Sequence, residues 1–551
     1  MAIGTDTGTG TRTRDPLVKD GTEGTGAVAA GAVGLSAVLF ALSLASLFEA
    51  LALTTTVAGV PLVTLAGGAL VALGGAVMAF GIGSRLGYVE TEPQASAGIV
   101  AGLAFAFVWF VAAGLVASQT LGLGTVGWFL VAALVGVGVF VVSTATREDV
   151  GSTLPAGALS AFAGLVFLTG AIAPGWVWNL GWAQKASFTG EFTVPVITLF
   201  VSLIAGWAAA KAYGGFGARG RHTGAYVLVY LNALSIVGVL FLLVAFTVYK
   251  GFSGAVNGFA VGPGVGPEST VVLFGTAISW EWPFYLPFVM NGVGLTNEFN
   301  GVLPAIVGTV WLVVGAVLFA VPLGVGAAVF LTEYAERGRF TQVVEVATNG
   351  LWSTPSIVFG LFGFAFLIPR FGNGKSLLAG MITLGFMLLP LVVITSREAM
   401  LAVPDEYRDA SAALGVSKWQ TIRSIVLPAA LPGVVTGIIL GVGRIAGETA
   451  PILLTMAGGV FVPGNQTADV IGGFRFTGSP PFVENPVLLD ATSALPYQLY
   501  ALISAGVGAS GNVSNPDEFK WATAFVLLVV VLSFYAIGIA ARYYFRRELN
   551  Q

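Results

Sequence analysis

Two residues of opposite charge stand four apart within a long apolar stretch, and they are the first candidates for chemistry. Arg444 and Glu448 lie in residues 436–455, which are otherwise apolar or small. A helix would place both charges on one face, and Pro451 would bend that helix by removing a backbone hydrogen bond. A buried guanidinium suits an oxyanion because its planar fork meets two oxygens at once. We therefore predict a substrate pathway along Arg444, Glu448 and Thr449, with a structural ion pair as the alternative.

A second candidate is a charged segment, residues 404–428, with the pattern of a helix, a glycine turn and another helix. An alanine-rich patch ends at Leu414, Gly415 breaks the first helix, and an amphipathic turn through Trp419 follows. Pro428 is expected to start the next apolar stretch. Apolar side chains that no lipid covers indicate docking to another protein. The alternative is an amphipathic helix lying on a membrane surface.

Other kinds of site find little support in the sequence. There is no cysteine and one histidine, His222, which we place in a polar loop, so we expect no catalytic residue and no metal site. Gly374-Lys375-Ser376 resembles the end of a phosphate-binding loop, but Pro369 stands where its first glycine belongs. We therefore expect no cofactor on this chain. A net charge of -3 gives no basis for nucleic-acid binding.

The composition indicates the elements that must position these candidates. Of the 551 residues, 56% are hydrophobic and 9% are charged, against about 25% charged in a typical soluble domain. A bilayer-crossing helix needs about 20 apolar residues, and the chain offers twelve such stretches. The predicted spans are near 27–53, 57–82, 96–118, 125–145, 155–174, 193–213, 225–249, 301–332, 345–369, 376–402, 429–457 and 521–543.

The placement of Lys and Arg predicts the orientation of these spans. With both termini inside, most of the 24 Lys and Arg residues fall in inner segments, as the positive-inside rule requires. The same assignment places residues 404–428 inside. We expect a multi-pass protein of the cell membrane with cytoplasmic N- and C-termini.

The two halves differ in character. Residues 1–26 are small and polar and predict a disordered cytoplasmic tail. Residues 27–213 hold six spans with almost no buried charge, Glu49 being the main exception, and their role is unknown. A glycine-rich, basic stretch at 214–224 separates them from the second half. That half has long outer loops and charge within a span, which are costly in a membrane and usually mark function.

The loop segment also carries a family signature. Nine residues after its glycine comes an Ile-Val-Leu-Pro sequence, which resembles the EAA loop of ABC importer permeases, G-x9-I-x-L-P. Asp-Ala-Ser stands in place of the family's Glu-Ala-Ala. The resemblance implies that 404–428 is a coupling loop that fits a cleft on an ATPase subunit. The matching residues are Asp409, Ala410, Ser411, Gly415, Ile425, Leu427 and Pro428.

Residues 225–547 resemble the PstA-type permease subunits of phosphate ABC importers. The matching strings include RIAGETAP around Arg444 and Glu448, STPSIVFGLFGFAF at 353–366 and LPYQLYALIS at 495–504. The resemblance implies an all-α fold with a MetI-like type I importer permease domain. It also implies that the arginine and glutamate serve phosphate passage. The six N-terminal spans are not part of the usual family pattern.

The function implied is that of a non-enzymatic permease subunit of an ATP-driven phosphate importer. The implied partners are a PstC-like permease, two ATP-binding subunits that carry ATP and Mg, and an extracytoplasmic phosphate-binding protein. Sulfate, molybdate or tungstate remain alternative substrates, because the guanidinium would serve any oxyanion. A sensor or scaffold role for the N-terminal half is another alternative. A secondary transporter predicts internal repeats and coupling carboxylates, which the sequence lacks.

Overall fold

Long apolar helices account for most of the protein, which confirms the prediction of an all-α polytopic membrane protein. The computed structural model describes residues 23–179, 186–273, 276–293, 300–336, 338–459, 466–480, 482–504 and 515–549. In these ranges, 11 helices are long and apolar enough to cross a bilayer, and one bent pair of helices would make a twelfth. The predicted tail 1–26 lies outside the described residues except at its end, where the first helix begins.

The chain forms two units, residues 1–246 and 247–551. Each of the six stretches predicted between 27 and 213 falls on one helix, and α4 has the predicted bounds. The helices that begin in the first unit are α1 (Glu23–Leu47), α2 (Leu62–Arg85), α3 (Ile99–Leu115), α4 (Thr125–Ala145), α5 (Glu148–Leu168), α6 (Gly190–Tyr213) and α7 (Gly217–Val256).

Glycine contacts bring α2 and α5 together in the first unit. The two helices run antiparallel, with Gly67 facing Gly164 and Gly74 facing Gly157. A Cβ atom at Gly74 would collide with the backbone oxygen of Gly157. In lipid, helices associate through close packing of this kind, since apolar burial alone offers no advantage over lipid tails. These glycines therefore fix the spacing of the pair.

The polar stretch 214–224, predicted to be a loop between the halves, is a tight turn followed by helix. Gly215 and Gly217 have φ of 77° and 62°, a conformation that glycine adopts without strain. The helix that follows packs Leu231 against Phe40 of α1. Because of this packing, the division between the units falls at 246 rather than at the turn.

The second unit contains the remaining helices. They are α8 (Pro287–Met290), α9 (Leu303–Val329), α10 (Arg339–Trp352), α11 (Ser356–Phe362), α12 (Leu377–Leu401), α13 (Asp405–Ala413), α14 (Lys418–Thr421), α15 (Leu427–Ala446), α16 (Ala450–Thr455), α17 (Leu495–Ser504) and α18 (Pro516–Leu549). Single π-helical turns extend α3 to Thr120, α9 to Tyr334 and α11 to Leu367, and another joins α14 to α15 through Ile422–Val426. Two 3-10 turns lie at Ile368–Arg370 and Pro486–Leu488.

α9 and α12 lie side by side and run in the same direction. Gly315 of α9 contacts Met381 of α12, and Gly324, further along, contacts Val392. The chain between them must therefore return from the end of α9 to the opposite end of the bundle, where α12 begins. We call the end that carries α13 and α14 the loop end.

The chain returns from the end of α9 to the start of α12 through the bent pair of helices. α10 and the helical stretch from Ser356 to Arg370 meet at an angle of 100°, so the span predicted at 345–369 is a bent pair of helices rather than one helix. Pro355 explains the break, because proline lacks an N–H donor and disfavours helical geometry in the residue before it. Counted as one broken span, the pair brings the total to twelve.

Short strands lie in the connections between the helices. In the described ranges they pair as five two-stranded antiparallel sheets, β1 with β2, β3 with β4, β5 with β8, β6 with β7, and β9 with β10. The strands are β1 (Thr56–Val57), β2 (Val60–Pro61), β3 (Val177–Asn179), β4 (Ser187–Thr189), β5 (Ala260–Val261), β6 (Glu268–Leu273), β7 (Thr276–Glu281), β8 (Phe284–Tyr285), β9 (Arg475–Phe476) and β10 (Val483–Glu484).

Candidate functional site

Arg444 lies close to the middle of the bundle in the second unit. α15 packs antiparallel to α12, with Gly437 against Thr395 and Gly441 against Leu388. Continuing this register, Arg444 in the last turn of α15 comes about midway along α12. Its side chain is 36% exposed. The guanidinium is therefore at mid-span depth and accessible.

The helix that carries Arg444 is interrupted directly after it. α15 ends at Ala446, Gly447 to Thr449 are not helical, and α16 begins at Ala450. The interruption therefore precedes Pro451, which was predicted to bend a continuous helix. Pro451 sits in the first turn of α16, where its missing N–H leaves no helical bond unmade.

The break also changes how Arg444 and Glu448 meet. Glu448 stands in the irregular segment, so the two charges do not share a helix face as predicted. Arg444 Nε and Glu448 Oε1 are 3.8 Å apart, and the Glu448 side chain is 18% exposed. This separation exceeds hydrogen-bonding distance, so the carboxylate neutralises the guanidinium without engaging it closely.

Trp352 is a member of the site that sequence reasoning missed. Its indole ring lies under Arg444, with the Arg444 Cζ atom 4.2 Å from the ring centroid. Trp352 is the last residue of α10, next to the bend at Pro355, and it is 92 positions away from Arg444. No pattern of local spacing connects the two residues, so only the fold reveals the contact.

Two broken helices therefore meet at this site. Beyond the first break, α11 packs on α16, where a Cβ atom at Gly360 would lie 2.9 Å from the Cα atom of Pro451. Irregular backbone at membrane depth is tolerated where it is buried in protein or lines a water-filled cavity. Broken helices also line substrate sites in several transporter folds. The arrangement is suited to a polar solute.

Arg444 keeps its donors available. Among the described residues, its contacts are the indole of Trp352 and the distant carboxylate of Glu448. An arginine has five N–H donors, and an incoming oxyanion could accept two of them side by side. Thr449, half-buried at the cap of α16, stands next to Glu448. The role of these residues in a pathway stays a prediction.

The loop segment folds as the predicted helix, glycine turn and helix. α13 ends at Ala413, and Gly415 has a φ of 73° with open space around it. Ser417 caps α14 and exchanges hydrogen bonds with Gln420. Leu414 and the side chain of Trp419 are 83% and 57% exposed. Two large apolar side chains are thus presented at the turn.

The residues of the matching motif divide between this surface and the interior. Asp409 and Ala410 are exposed, whereas Ser411 is buried. Ile422, which follows Trp419 in the same amphipathic stretch, is also buried. Of the motif residues, Asp409, Ala410 and Gly415 are therefore available to a partner.

The end of the motif belongs to the next span. Ile425, Leu427 and Pro428 are half-buried, and Lys418–Ala446 is one continuous helical stretch. Pro428 therefore does not start the span as predicted. The π-helical turn just before it widens the helix locally and leaves room for the proline ring.

The first unit contains buried charge, contrary to the sequence prediction. Glu148 Oε1 and Lys211 Nζ are 2.8 Å apart, and both side chains are 1% exposed. Asp149 is also buried and accepts from Arg147 Nε at 3.0 Å. Glu49, the predicted exception, is exposed. Glu148 and Asp149 precede the predicted span 155–174, because α5 begins before its apolar core. Lys211 lies at the end of the predicted span 193–213, and 63 positions separate it from Glu148.

No metal site accompanies these charges. Within the described ranges, no group of three or more His, Asp or Glu side chains is arranged to hold an ion. His222 is exposed on α7, with its ring against Tyr226.

Comparisons with known proteins place the second half of the chain among transport components. The family described as "binding-protein-dependent transport system inner membrane component" matches residues 320–483. The phosphate transport system permease protein PstA of Haemophilus influenzae is 31% identical over 252 residues, which is 46% of this chain and 78% of that protein. PstA 1 of Mycobacterium tuberculosis is 43% identical over 168 residues, 29% of this chain and 55% of that protein.

A solved structure also resembles this chain. A chain of the MetNI methionine ABC transporter, in inward-facing conformations, has 18% sequence identity and a TM-score of 0.31. The match covers 44% of the present chain and 94% of the other.

Proposed function

The chain belongs to the PstA-type permeases of phosphate transport systems, and we propose that it forms half of an ATP-driven pathway that imports inorganic phosphate. The permease moves solute and breaks no bond. The observation that carries the proposal is the arrangement around Arg444. An accessible guanidinium lies at mid-span, on an indole, at the junction of two broken helices.

Arg444 would receive the phosphate. A phosphate oxyanion offers several oxygens to the guanidinium fork, and charge-assisted bonds of this kind are the stronger hydrogen bonds in proteins. Glu448, 3.8 Å away, would compete with the anion for the same donors. This competition keeps the solute from binding so tightly that it cannot leave. Thr449 would line the path beside Glu448.

The turn between α13 and α14 would dock on an ATPase. Leu414 and Trp419 are exposed apolar anchors at a glycine turn, a combination suited to a cleft on a partner protein. Two ATP-binding subunits would carry ATP and Mg, and this chain would bind no cofactor. Closure of the ATPases would move α13 and switch the pathway by rigid-body motion of packed helices.

The remaining assignments follow from the direction of import. The loop end would face the cytoplasm of the cell, together with both termini, as the distribution of Lys and Arg predicts. A PstC-like permease would supply the other half of the pathway. An extracytoplasmic phosphate-binding protein would deliver phosphate at the opposite end, where the positive-inside rule places the long outer loops.

Transport by the purified complex tests the proposed substrate. The chain, a PstC-like permease and the ATPase are reconstituted in proteoliposomes with the binding protein, and uptake of radiolabelled phosphate is measured. We expect uptake that depends on ATP and that excess sulfate or molybdate does not reduce. Loss of phosphate uptake in the presence of equimolar sulfate or molybdate would assign the chain to another oxyanion.

A substitution at the turn tests the docking surface. Gly415→Asp adds a charged side chain at a left-handed position that aspartate tolerates better than most residues. We expect the ATPase to stop co-purifying and uptake to fall to background. Gly87→Asp is the matched control, because Gly87 also has a positive φ and open space. Normal binding and uptake by the Gly415 variant would remove the docking role.

A further inference from the structure

Arg408 of α13 uses every donor of its side chain. Nε and Nη2 donate to Glu333 Oε1 at 3.2 and 2.9 Å. Nη1 donates to the backbone oxygen of Val403 at 2.8 Å and to Asp405 Oδ1 at 3.2 Å. Nη2 also donates to the backbone oxygen of Met400 at 3.0 Å. A guanidinium has five N–H groups, and all of them are engaged.

These bonds join three helices at one point. Glu333 lies in the π-helical turn that extends α9, and its side chain is 7% exposed. Met400 is in the last turn of α12, and Val403 follows that helix directly. The guanidinium thus attaches the start of α13 to the ends of α9 and α12, which are packed together along the core of the unit.

The opposite end of α13 is attached differently. Beyond Ala413 the chain passes through Gly415, whose positive φ and open surroundings allow the backbone to turn. Lys418 of α14 lies over the ring of Tyr334 at 5.2 Å from its centroid, a contact without hydrogen bonds. The helix is therefore held by a saturated joint at its start and by a glycine turn at its end.

We propose that Arg408 is a positioning residue that transmits the movement of α13 to α9 and α12 as a rigid lever. The proposal rests on the docking of α13 and α14 to an ATPase. Movement imposed on α13 passes to the two helices that its first turn grips, while Gly415 absorbs the change of angle toward α15. The site around Arg444 on α15 then opens because α9 and α12 move past it.

Arg408→Lys is the substitution that tests the hydrogen bonds of the guanidinium most specifically. It keeps the charge and length of the side chain, but its ammonium is a point donor that cannot reproduce a five-bond planar fork. Arg397→Lys is the matched control. Arg397 is at the same end of α12 and is half-buried like Arg408, but its partners, Glu345 at 3.3 Å and Glu398 at 3.7 Å, are exposed carboxylates, and such surface pairs contribute little.

The experiment measures binding, hydrolysis and transport on one complex. Tagged permease variants are purified with the co-expressed ATPase, and ATP hydrolysis and phosphate uptake are followed in proteoliposomes. For Arg408→Lys we expect wild-type recovery of the ATPase and sustained hydrolysis, but about a tenfold loss of phosphate imported per ATP. Glu333→Ala should give the same loss, and the double variant should be no worse than either single variant. Arg397→Lys should match the wild type.

Two results would overturn the proposal. Unchanged import per ATP in Arg408→Lys would show that the joint transmits nothing. Loss of ATPase binding in that variant would show that Arg408 shapes the docking surface instead. Failure of the proposed function is a separate result, since the wild-type complex would then neither retain the ATPase nor import phosphate.

Discussion

In each unit of the protein, the described residues include an acid–base pair beside an indole, and the two pairs differ in almost every other respect. In the first unit, Lys211 lies over Trp207 at 4.7 Å and contacts Glu148 at 2.8 Å, with both charged side chains 1% exposed. In the second, Arg444 lies over Trp352 at 4.2 Å, but Glu448 is 3.8 Å away and both side chains reach solvent.

The surroundings of the carboxylates explain the difference. The second oxygen of Glu148 accepts from the backbone N–H groups of Gln94 and Gly217, both at 3.0 Å. This carboxylate therefore ties α5 to two turns that lie far apart in sequence. Glu448 has no comparable bonds among the described residues. A saturated, enclosed pair is suited to holding structure, whereas a loose, accessible pair is suited to exchanging partners with a solute.

Removing the lysine of the enclosed pair should give the largest loss of stability. Lys211→Met leaves a carboxylate buried without its counter-ion, which costs about 3–5 kcal/mol. We expect a marked drop in the thermal unfolding temperature of the detergent-solubilised protein and a poor yield of folded chain. Phosphate uptake per folded molecule should be unchanged.

The double variant sharpens this prediction. Glu148→Gln removes the uncompensated charge but keeps an oxygen that can accept from Gln94 and Gly217. The pair Glu148→Gln/Lys211→Met should therefore be more stable than Lys211→Met alone. Equal or greater instability of the double variant would show that the charge itself is not the source of the cost.

Substituting the two indoles, Trp352 and Trp207, should give smaller effects, and the two variants can be compared directly with each other. A cation over an aromatic ring contributes about 0.5–2 kcal/mol. Trp352→Leu should reduce phosphate uptake several-fold with little change in thermal stability, because the arginine loses its support. Trp207→Leu should do the reverse, lowering stability and sparing uptake. If both variants changed the same property, the two pairs would not have different roles.

The cap of α14 gives the smallest expected effect. Ser417→Ala removes the hydroxyl that accepts from the backbone N–H of Gln420 at 3.4 Å, and loss of a helix cap typically costs about 1 kcal/mol. ATPase binding should weaken a few-fold, measured by titrating the ATPase onto immobilised permease. Ser353→Ala, whose hydroxyl donates to a backbone oxygen near the bend, is a control that should leave this affinity unchanged.

Periodic and local features were accessible from the sequence. Runs of apolar residues predicted each long helix, and α4 matched to the residue. The turn at Gly415 was predictable as well, because a glycine between two short amphipathic stretches has one straightforward interpretation. These features depend on neighbours in the sequence, so the sequence contains the information directly.

Long-range contacts and helix interruptions were not accessible. The pairing of Glu148 with Lys211 was not accessible from the sequence, because it depends on the packing of α5 and α6, which brings together residues 63 positions apart. Trp352 looked like one more apolar residue until the bend at Pro355 brought it under Arg444. The interruption between α15 and α16 lies at residues 447–449, before Pro451, so the proline did not locate it.

Arg444→Gln tests most directly whether the loose pair works on the solute while the enclosed pair holds the fold. Glutamine keeps a polar side chain but removes the charge and the planar fork. We predict that phosphate uptake in proteoliposomes falls by about 100-fold or more, while the unfolding temperature and ATPase binding match the wild type. Phosphate uptake at the wild-type rate would contradict the account.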